Sequence, residues 1–161
     1  MAQSETVMTI AVQIRAPHFA VILRERLMGD PRMTEHLGGP ESPDKLRERQ
    51  DRYERLEGGD RMFKIIDVAS ATGVGSVGLW TKQWRDEQVY EVGWMVVPEF
   101  QGHGIALAAT AQAIELAKGD DKHRFMHAFP NIDNAPSNTI CHKLASNCSR
   151  HASSSSRRDT S

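Results

Sequence analysis

The sequence predicts an α/β fold in which a mixed, mostly antiparallel sheet is flanked by helices. Segments rich in β-branched and aromatic residues follow one another between residues 62 and 97 with short turns between them, which favours an antiparallel meander. An alanine-rich helical segment then leads to one more strand-like segment, and such a strand, helix and strand usually form a parallel pair. With 161 residues, the chain is long enough for one domain with a substantial core.

The order of elements follows from local signals. Strands are predicted at residues 7–15, 62–69, 74–82, 88–97 and 124–129, and helices at residues 19–28 and 105–118. A further helix begins at Ser42-Pro43, because serine caps a helix and proline suits its first position, and it ends at Gly58-Gly59. Arginine and glutamate are interspersed along residues 45–57, which predicts a solvated outer face for this helix.

Composition argues against several classes of partner. The net charge is -1, so the chain lacks the basic excess that nucleic acid or an anionic membrane surface would require. No apolar run approaches the roughly 20 residues of a membrane span, and the N-terminus lacks the basic start of a secretory signal. We therefore expect a cytoplasmic protein that binds neither nucleic acid nor membrane.

Metal binding is also not expected. Cys141 and Cys148 fit neither a disulfide framework nor a common zinc pattern. His123 and His127 have the spacing of a metal pair on a helix, but they alternate with phenylalanines in a segment that resembles a strand.

A glycine turn between a strand and a helix marks the most informative stretch, residues 92–117. Backbone N–H groups at a helix start have no partner within the helix and lie at the positive end of its dipole. Glycines allow a ligand to approach the main chain closely. The turn therefore predicts a phosphate or pyrophosphate site formed by the N–H groups of Gly102, His103, Gly104, Ile105 and Ala106.

A second glycine pattern, Gly73-Val74-Gly75-Ser76-Val77-Gly78, matches the dinucleotide fingerprint G-x-G-x-x-G. That fingerprint requires a helix to begin at the glycines, whereas the next residues are aromatic and strand-like. We interpret these glycines as part of a strand against which another group packs closely.

The motif Gln101-x-x-Gly104-x-Ala106 after a strand resembles the acetyl-CoA signature of the GCN5-related N-acetyltransferase (GNAT) superfamily. Asn134-x-x-Ser137, followed by Ile140 to Leu144, resembles the next helix of that family. Within the superfamily, the sequence most resembles the branch that includes the ribosomal-protein N-terminal acetyltransferases. The resemblance covers residues 62–144 well and the preceding residues more loosely.

The resemblance implies how acetyl-CoA would bind as acetyl donor. The strand before the loop would carry a bulge, with Gly93 as its expected position, and would splay away from the following parallel strand. Main-chain groups of Met95, Val96 and Val97 would then bind the pantetheine arm, while Asn134 and Ser137 would line its other side.

The resemblance also implies the chemistry of acetyl transfer to a primary amine in a ternary complex. Glu91 occupies the place of a catalytic glutamate and is the expected base, because an amine is largely protonated at neutral pH. The Val97 N–H is the expected oxyanion donor. Cys141 matches the position of the tyrosine that usually reprotonates the thiolate, and Tyr90 is the alternative acid if its ring faces the slot.

After Leu144 the resemblance ends, although the family continues with two further strands. Residues 145–161 contain no aromatic and no branched aliphatic residue, so we expect a disordered tail after an incomplete domain of residues 1–144. One hypothesis is a frameshifted tail, which translation of the other two reading frames would test. The alternative is a regulatory tail.

Three functions remain open from the sequence. The leading one is an N-acetyltransferase whose acceptor is a protein N-terminus or a small-molecule amine. The second is a non-catalytic acyl-CoA binder, and the third is a dinucleotide oxidoreductase, which depends on the second glycine pattern alone. The sequence also leaves open whether the protein forms a homodimer.

Overall fold

The computed structural model describes residues 12–120, 122–147 and 152–154. Within these residues the chain forms one sheet of six strands flanked by four α-helices. The strands are β1 (Val12–Arg15), β2 (Arg61–Asp67), β3 (Thr72–Trp84), β4 (Glu87–Val96), β5 (Met126–Ala128) and β6 (Ala152–Ser154). The α-helices are α1 (Val21–Met28), α2 (Pro43–Glu54), α3 (Ile105–Asp120) and α4 (Ala135–Asn147).

The six strands lie in the sheet in chain order. The pairs from β1 to β4 are antiparallel, whereas β5 is parallel to β4 and β6 is parallel to β5. The predicted meander and the parallel pair that follows it are therefore confirmed. The parallel pair requires the chain to cross from one end of the sheet to the other, and α3 makes that crossing.

Helix α3 packs against the sheet through small and branched side chains. Ala109 and Ala113 are fully buried, and Ile105, Ile114 and Ala117 are also buried. Alanine at these positions lets the helix approach the strands closely. The Gln112 amide further ties α3 to the sheet, because its Nε2 donates to the Val12 carbonyl at 2.8 Å.

Helix α2 begins as predicted. Ser42 caps it by accepting from the Lys45 N–H at 3.3 Å, and Pro43 is its first residue. Leu46 and Gln50 are the buried residues of this helix. It ends at Glu54, earlier than predicted, and Gly58 and Gly59 lie in the following turn with positive φ angles of 68° and 93°.

The structure describes the two chain ends only in part. Residues 7–11 of the first predicted strand lie outside the described residues, and β1 begins at Val12. Within the tail expected to be disordered from Ala145, α4 continues to Asn147 and residues 152–154 pair with β5. Helical hydrogen bonding and strand pairing use main-chain groups, which this tail has despite its polar composition. Residues 148–151 and 155–161 lie outside the described residues.

The second glycine pattern lies inside β3, so its interpretation as part of a strand is confirmed. A Cβ atom on Gly75 would overlap the Met95 carbonyl oxygen. A Cβ atom on Gly78 would lie 2.5 Å from the Trp80 ring, and one on Gly93 in β4 would lie 2.9 Å from the same ring. The glycines therefore admit a neighbouring strand and a tryptophan ring, not a nucleotide.

We expect Gly75→Ala to lower the free energy of unfolding by about 1–3 kcal/mol, because the new methyl group meets main chain that cannot turn aside. Gly119→Ala is the matched control, since a Cβ atom at this helical position has no neighbour within 4 Å among the described residues. The control should be neutral or slightly stabilising. Urea unfolding measures both variants, and equal stabilities would contradict the close packing at Gly75.

Candidate active site

The two edges of β4 have different hydrogen bonding. Its antiparallel register with β3 is continuous from Glu87 to Val96. Its parallel register with β5 consists of two positions, Tyr90 with Met126 and Glu91 with His127. Beyond Glu91, the sheet opens along the β5 side of β4.

The direction of each main-chain group follows from two hydrogen bonds. The Val97 N–H donates to the Val74 carbonyl at 2.9 Å and so faces β3, whereas the Tyr90 N–H donates to the Phe125 carbonyl at 2.9 Å and faces β5. Main-chain groups of successive strand residues point to alternate sides. The N–H and C=O groups of Trp94 and Val96 therefore face the opening, where the described residues provide no strand partner.

This alternation corrects part of the predicted pantetheine site. The main-chain groups of Met95 face β3, and the Val97 N–H is occupied by Val74, so neither residue offers the expected hydrogen bonds. Val96 faces the opening as predicted, and Trp94 joins it. The Val97 N–H is likewise not available to an oxyanion.

Gly93 is not a bulge. The β3–β4 register runs through Gly78 and Gly93 without a shift, and the irregularity of this sheet lies between Ile65 and Ile66 in β2. The absence of a side chain at Gly93 instead makes room for the Trp80 ring. A splayed edge therefore forms here because β5 is short, not because β4 is kinked.

The predicted anion site lies at the end of β4. Gly102 and Gly104 both have φ angles of +77°, which turn the chain sharply into α3. The first hydrogen bond of the helix runs from the Ala108 N–H to the Gly104 carbonyl at 3.0 Å. In the described part of the chain, the N–H groups of residues 102–107 form no hydrogen bond, so this segment presents six consecutive donors at the positive end of a 16-residue helix.

The surroundings of this loop leave it open. Gln101, Gly102, His103 and Gly104 are exposed, and a Cβ atom on Gly102 would have no neighbour within 4 Å among the described residues. Ile105 is buried and anchors the start of α3, while Ala106 is half-buried. The loop thus has both the donors and the space for an anionic group.

The Gln101 side chain does not reach into the loop. Its Nε2 donates to the Val96 carbonyl at 2.8 Å. This bond satisfies one of the main-chain groups that face the opening, and it fixes the end of β4 to the loop. Gln101 is therefore best described as a residue that positions the strand.

Across the sheet, Asn134 and Ser137 belong to the start of α4. The Asn134 Oδ1 accepts from the Ser137 N–H at 3.2 Å, which is a helix cap. Both residues are half-buried. The structure gives them this capping role, and a contact with a pantetheine arm stays a prediction.

Glu91 lies at the closed end of the opening, beside its partner His127. Its Oε2 accepts from the Trp80 indole Nε1 at 2.9 Å and lies 3.3 Å from the Lys82 Nζ. The carboxylate side chain is 14% exposed. Trp80 and Lys82 hold this carboxylate, and sequence reasoning did not identify either of them.

An aromatic cluster lies beside Lys82, the ion-pair partner of this carboxylate, and Lys82 contacts it through Phe129. The Lys82 Nζ lies 4.1 Å from the centre of the Phe129 ring. The Phe129 ring contacts Trp84 at 4.9 Å between centroids and stacks on His127 at 5.8 Å. The Glu91–Lys82 ion pair and this group of three rings therefore lie next to each other, where the β4–β5 ladder ends.

The surroundings of Cys141 argue against its predicted role as the general acid. Cys141 is 4% exposed within the hydrophobic core, and burial raises the pKa of its thiol to about 11. An ordinary thiol has a pKa near 8.5, so proton transfer from Cys141 to a thiolate would be uphill. The Tyr90 ring packs edge-on against His123 at 4.6 Å, and alternation places it on the face opposite Glu91.

Among the described residues, no group of three or more histidine, cysteine, aspartate or glutamate side chains could hold a metal ion. His123 instead hydrogen-bonds Thr81 at 2.9 Å, and His127 joins the aromatic cluster. No helix in this part of the chain combines the length and hydropathy needed to cross a membrane.

A cleft that is open to solvent lies between the two N-terminal helices and the sheet. Its lining is mostly apolar, and Ser76 and Met95 form its floor. Two polar atoms here, Arg24 Nε and Gln50 Oε1, are buried without a hydrogen bond to any described residue. Such atoms are costly unless a ligand or water pairs with them.

A family model described as an acetyltransferase (GNAT) domain matches residues 11–146. The chain belongs to the GNAT acetyltransferase family. The match covers the open edge of β4, the glycine turn and α4, which are the parts that form the site. Comparison with curated protein sequences gives no match.

Solved GNAT structures share the fold of this family member. A Bacillus anthracis acetyltransferase of the GNAT family is 18% identical over 84% of this chain and 80% of its own, with a TM-score of 0.67. The ribosomal-protein-S5-alanine acetyltransferase from Vibrio fischeri is 20% identical over 83% and 76%, with a TM-score of 0.62. The aminoglycoside acetyltransferase AAC(6')-Ib, solved with coenzyme A, is 13% identical over 84% and 82%, with a TM-score of 0.68.

Family and fold together support an acyltransferase. At these identities the solved structures show the GNAT fold and do not identify the acceptor.

We expect the stability of this GNAT domain to depend on pH through His127. Burial lowers the pKa of His127 below its ordinary 6.5, and Arg85 lowers it further against the opposing charge of Glu87. The unfolded chain then binds more protons below pH 6.5. The free energy of unfolding should fall by up to about 1.4 kcal/mol per pH unit below that value, until the folded-state pKa is reached.

Urea unfolding between about pH 5 and pH 7.5 measures this slope. His127→Gln should flatten it in part. His123 also contributes to the slope, because burial and nearby Lys122 lower its pKa as well. An unchanged slope in the His123→Gln, His127→Gln double variant would contradict this assignment.

Proposed function

We propose that this protein is an N-acetyltransferase that moves an acetyl group from acetyl-CoA to a primary amine by direct transfer in a ternary complex. The acceptor is a protein N-terminus or a small-molecule amine. The observation that carries the proposal is the run of six N–H donors at residues 102–107. This run follows β4, which among the described residues has no ladder pairing with β5 beyond Glu91.

Each part of acetyl-CoA, the acetyl donor, binds a different part of the site. The diphosphate binds the N–H groups of the turn and the first turn of α3, where the helix dipole favours negative charge. The pantetheine arm lies in the opening and hydrogen-bonds the main chain of Trp94 and Val96, which replace Met95 and Val97 in this role. Either of their N–H groups also replaces Val97 as donor to the oxyanion.

Glu91 is the base that deprotonates the acceptor amine. An amine near neutral pH carries a proton that must leave before attack. Glu91 lies at the closed end of the opening, where an acyl group at the end of an extended arm arrives. Trp80 and Lys82 fix its carboxylate in place, which suits a residue that must meet the amine in one geometry.

One observation favours a second candidate function, non-catalytic binding of acyl-CoA. The residue in the position of the usual general acid, Cys141, is buried and a poor proton donor at neutral pH. Thermal shift with acetyl-CoA, CoA and NAD, followed by a thiol-release assay with a panel of amines, separates the candidates. Stabilisation by acetyl-CoA without amine-dependent release of CoA favours the binder, and stabilisation by NAD alone favours an oxidoreductase.

We expect Gly104→Val to abolish the thermal shift produced by acetyl-CoA. The φ angle of +77° suits glycine, and a branched side chain would distort the turn that aligns the donors. Gly58→Val is the matched control, because Gly58 has a φ angle of +68° in a turn far from the loop along the chain. Both variants should lose stability, but the control should retain its shift with acetyl-CoA.

Equal thermal shifts for Gly104→Val and the unsubstituted protein would show that the loop does not bind the diphosphate. The acetyl-CoA proposal would then fail at its first step.

We expect Glu91→Gln to retain binding of acetyl-CoA and to lower amine-dependent CoA release by about 10²- to 10⁴-fold at neutral pH. The amide can still accept from the Trp80 indole but cannot take a proton from the amine. Glu87→Gln is the matched control, since it removes an exposed carboxylate from the same strand and, by alternation, the same face. A Glu91→Gln variant as fast as the control would remove Glu91 from the mechanism.

A further inference from the structure

The Lys82 ammonium group lies beside Glu91, the carboxylate proposed as the base for the acceptor amine. The Lys82 Nζ lies 3.3 Å from Glu91 Oε2 and 4.1 Å from the centre of the Phe129 ring. A carboxylate together with an aromatic face is a usual way to recognise a primary ammonium group. The structure therefore shows a primary amine beside the candidate base.

The same position is the expected destination of the acyl group. The open edge of β4 runs from the N–H donors of the turn to the Glu91–His127 pair, where the parallel ladder closes. Val97 lies six positions after Glu91, which is about 20 Å along an extended strand. An arm anchored at the turn and extended along this edge places its thioester near the closed end, beside Glu91 and Lys82.

Lys82 is also held in a defined place while remaining accessible. Its side chain is 26% exposed, so a ligand that enters the opening can reach it. The ion pair and the ring contact limit its rotamers, and a nucleophile held near its target reacts as if at high concentration. The Trp84 and His127 rings in turn contact the Phe129 ring.

We propose that Lys82 is a site of self-acetylation, an inference that rests on the proposed function. Glu91 takes a proton from the Lys82 ammonium, and the neutral Nζ attacks the carbonyl carbon of acetyl-CoA. A C–N bond forms and the C–S bond breaks. The attacking nitrogen loses its second proton and the leaving thiolate takes one up, so the products are Nε-acetyl-Lys82, CoA and one released proton.

Acetylation changes the site in a definite way. The neutral amide can no longer pair with the Glu91 carboxylate or make a cation–π contact with Phe129. Glu91 then loses its ion pair with Lys82 and keeps the hydrogen bond from Trp80. The modified protein therefore presents a different carboxylate to an external amine.

The test uses the full chain with acetyl-CoA that is isotopically labelled in the acetyl group, followed by peptide mass spectrometry over time. Lys118 is the internal control, because it also pairs with a glutamate, Glu115 at 2.9 Å, but on the exposed surface of α3. Label should appear on Lys82 well before Lys118. Its first-order rate constant should not change with protein concentration, as expected for reaction within one molecule.

Two variants make the test specific. Glu91→Gln should slow labelling of Lys82 by about 10²- to 10⁴-fold and leave labelling of Lys118 unchanged. Lys82→Arg keeps the positive charge but provides no acetylation site, so the mass of the intact protein should no longer rise at the fast rate. Circular dichroism of each variant checks that the fold is retained.

Equal labelling of Lys82 and Lys118, equal rates in Glu91→Gln, or a rate proportional to protein concentration would each overturn self-acetylation. Thermal shift and amine-dependent CoA release separate this failure from failure of the proposed function. A protein that binds acetyl-CoA and acetylates an external amine while Lys82 stays unlabelled overturns the self-acetylation alone. A protein that does not bind acetyl-CoA overturns both.

Discussion

The unequal pairing of β4 is the constraint on which the site depends. On one side, β4 pairs with β3 along its whole length, and on the other it pairs with β5 at two positions. A strand paired on both edges would have no main-chain groups to offer a ligand, and a strand paired on neither would not be held in place. Pairing with β3 supplies the rigidity, and the short β5 supplies the free edge.

Close packing inside the sheet fixes the side chains around that edge. Gly78 and Gly93 lie opposite each other in β3 and β4, and together they admit the Trp80 ring. The ring in turn places its indole N–H on Glu91. The glycine pattern that imitates a nucleotide motif thus contributes to the site indirectly, through the position of a tryptophan.

The helix start and the open edge are coupled by the covalent chain. Gln101 bonds to the Val96 carbonyl, and three residues later Gly104 begins the hydrogen bonding of α3. The distance between the anion donors and the free edge is therefore set by a few residues of chain. A ligand with a diphosphate at one end and an extended arm at the other matches this arrangement, as expected for a GNAT domain.

The sequence by itself determined the order of the elements, the glycine turn and the family resemblance, because these depend on local hydrophobic pattern and on residues that allow positive φ angles. It did not determine which main-chain groups of residues 95–97 are free, because that depends on which side of β4 has a partner. Nor did it place Trp80 and Lys82 beside Glu91. That register follows from a two-residue turn at Arg85-Asp86, with Arg85 at a φ angle of 54°, whereas the residue pattern predicted a longer turn. The burial of Cys141 was likewise decided by packing, since a cysteine fits a core or a catalytic surface equally well until its neighbours are known.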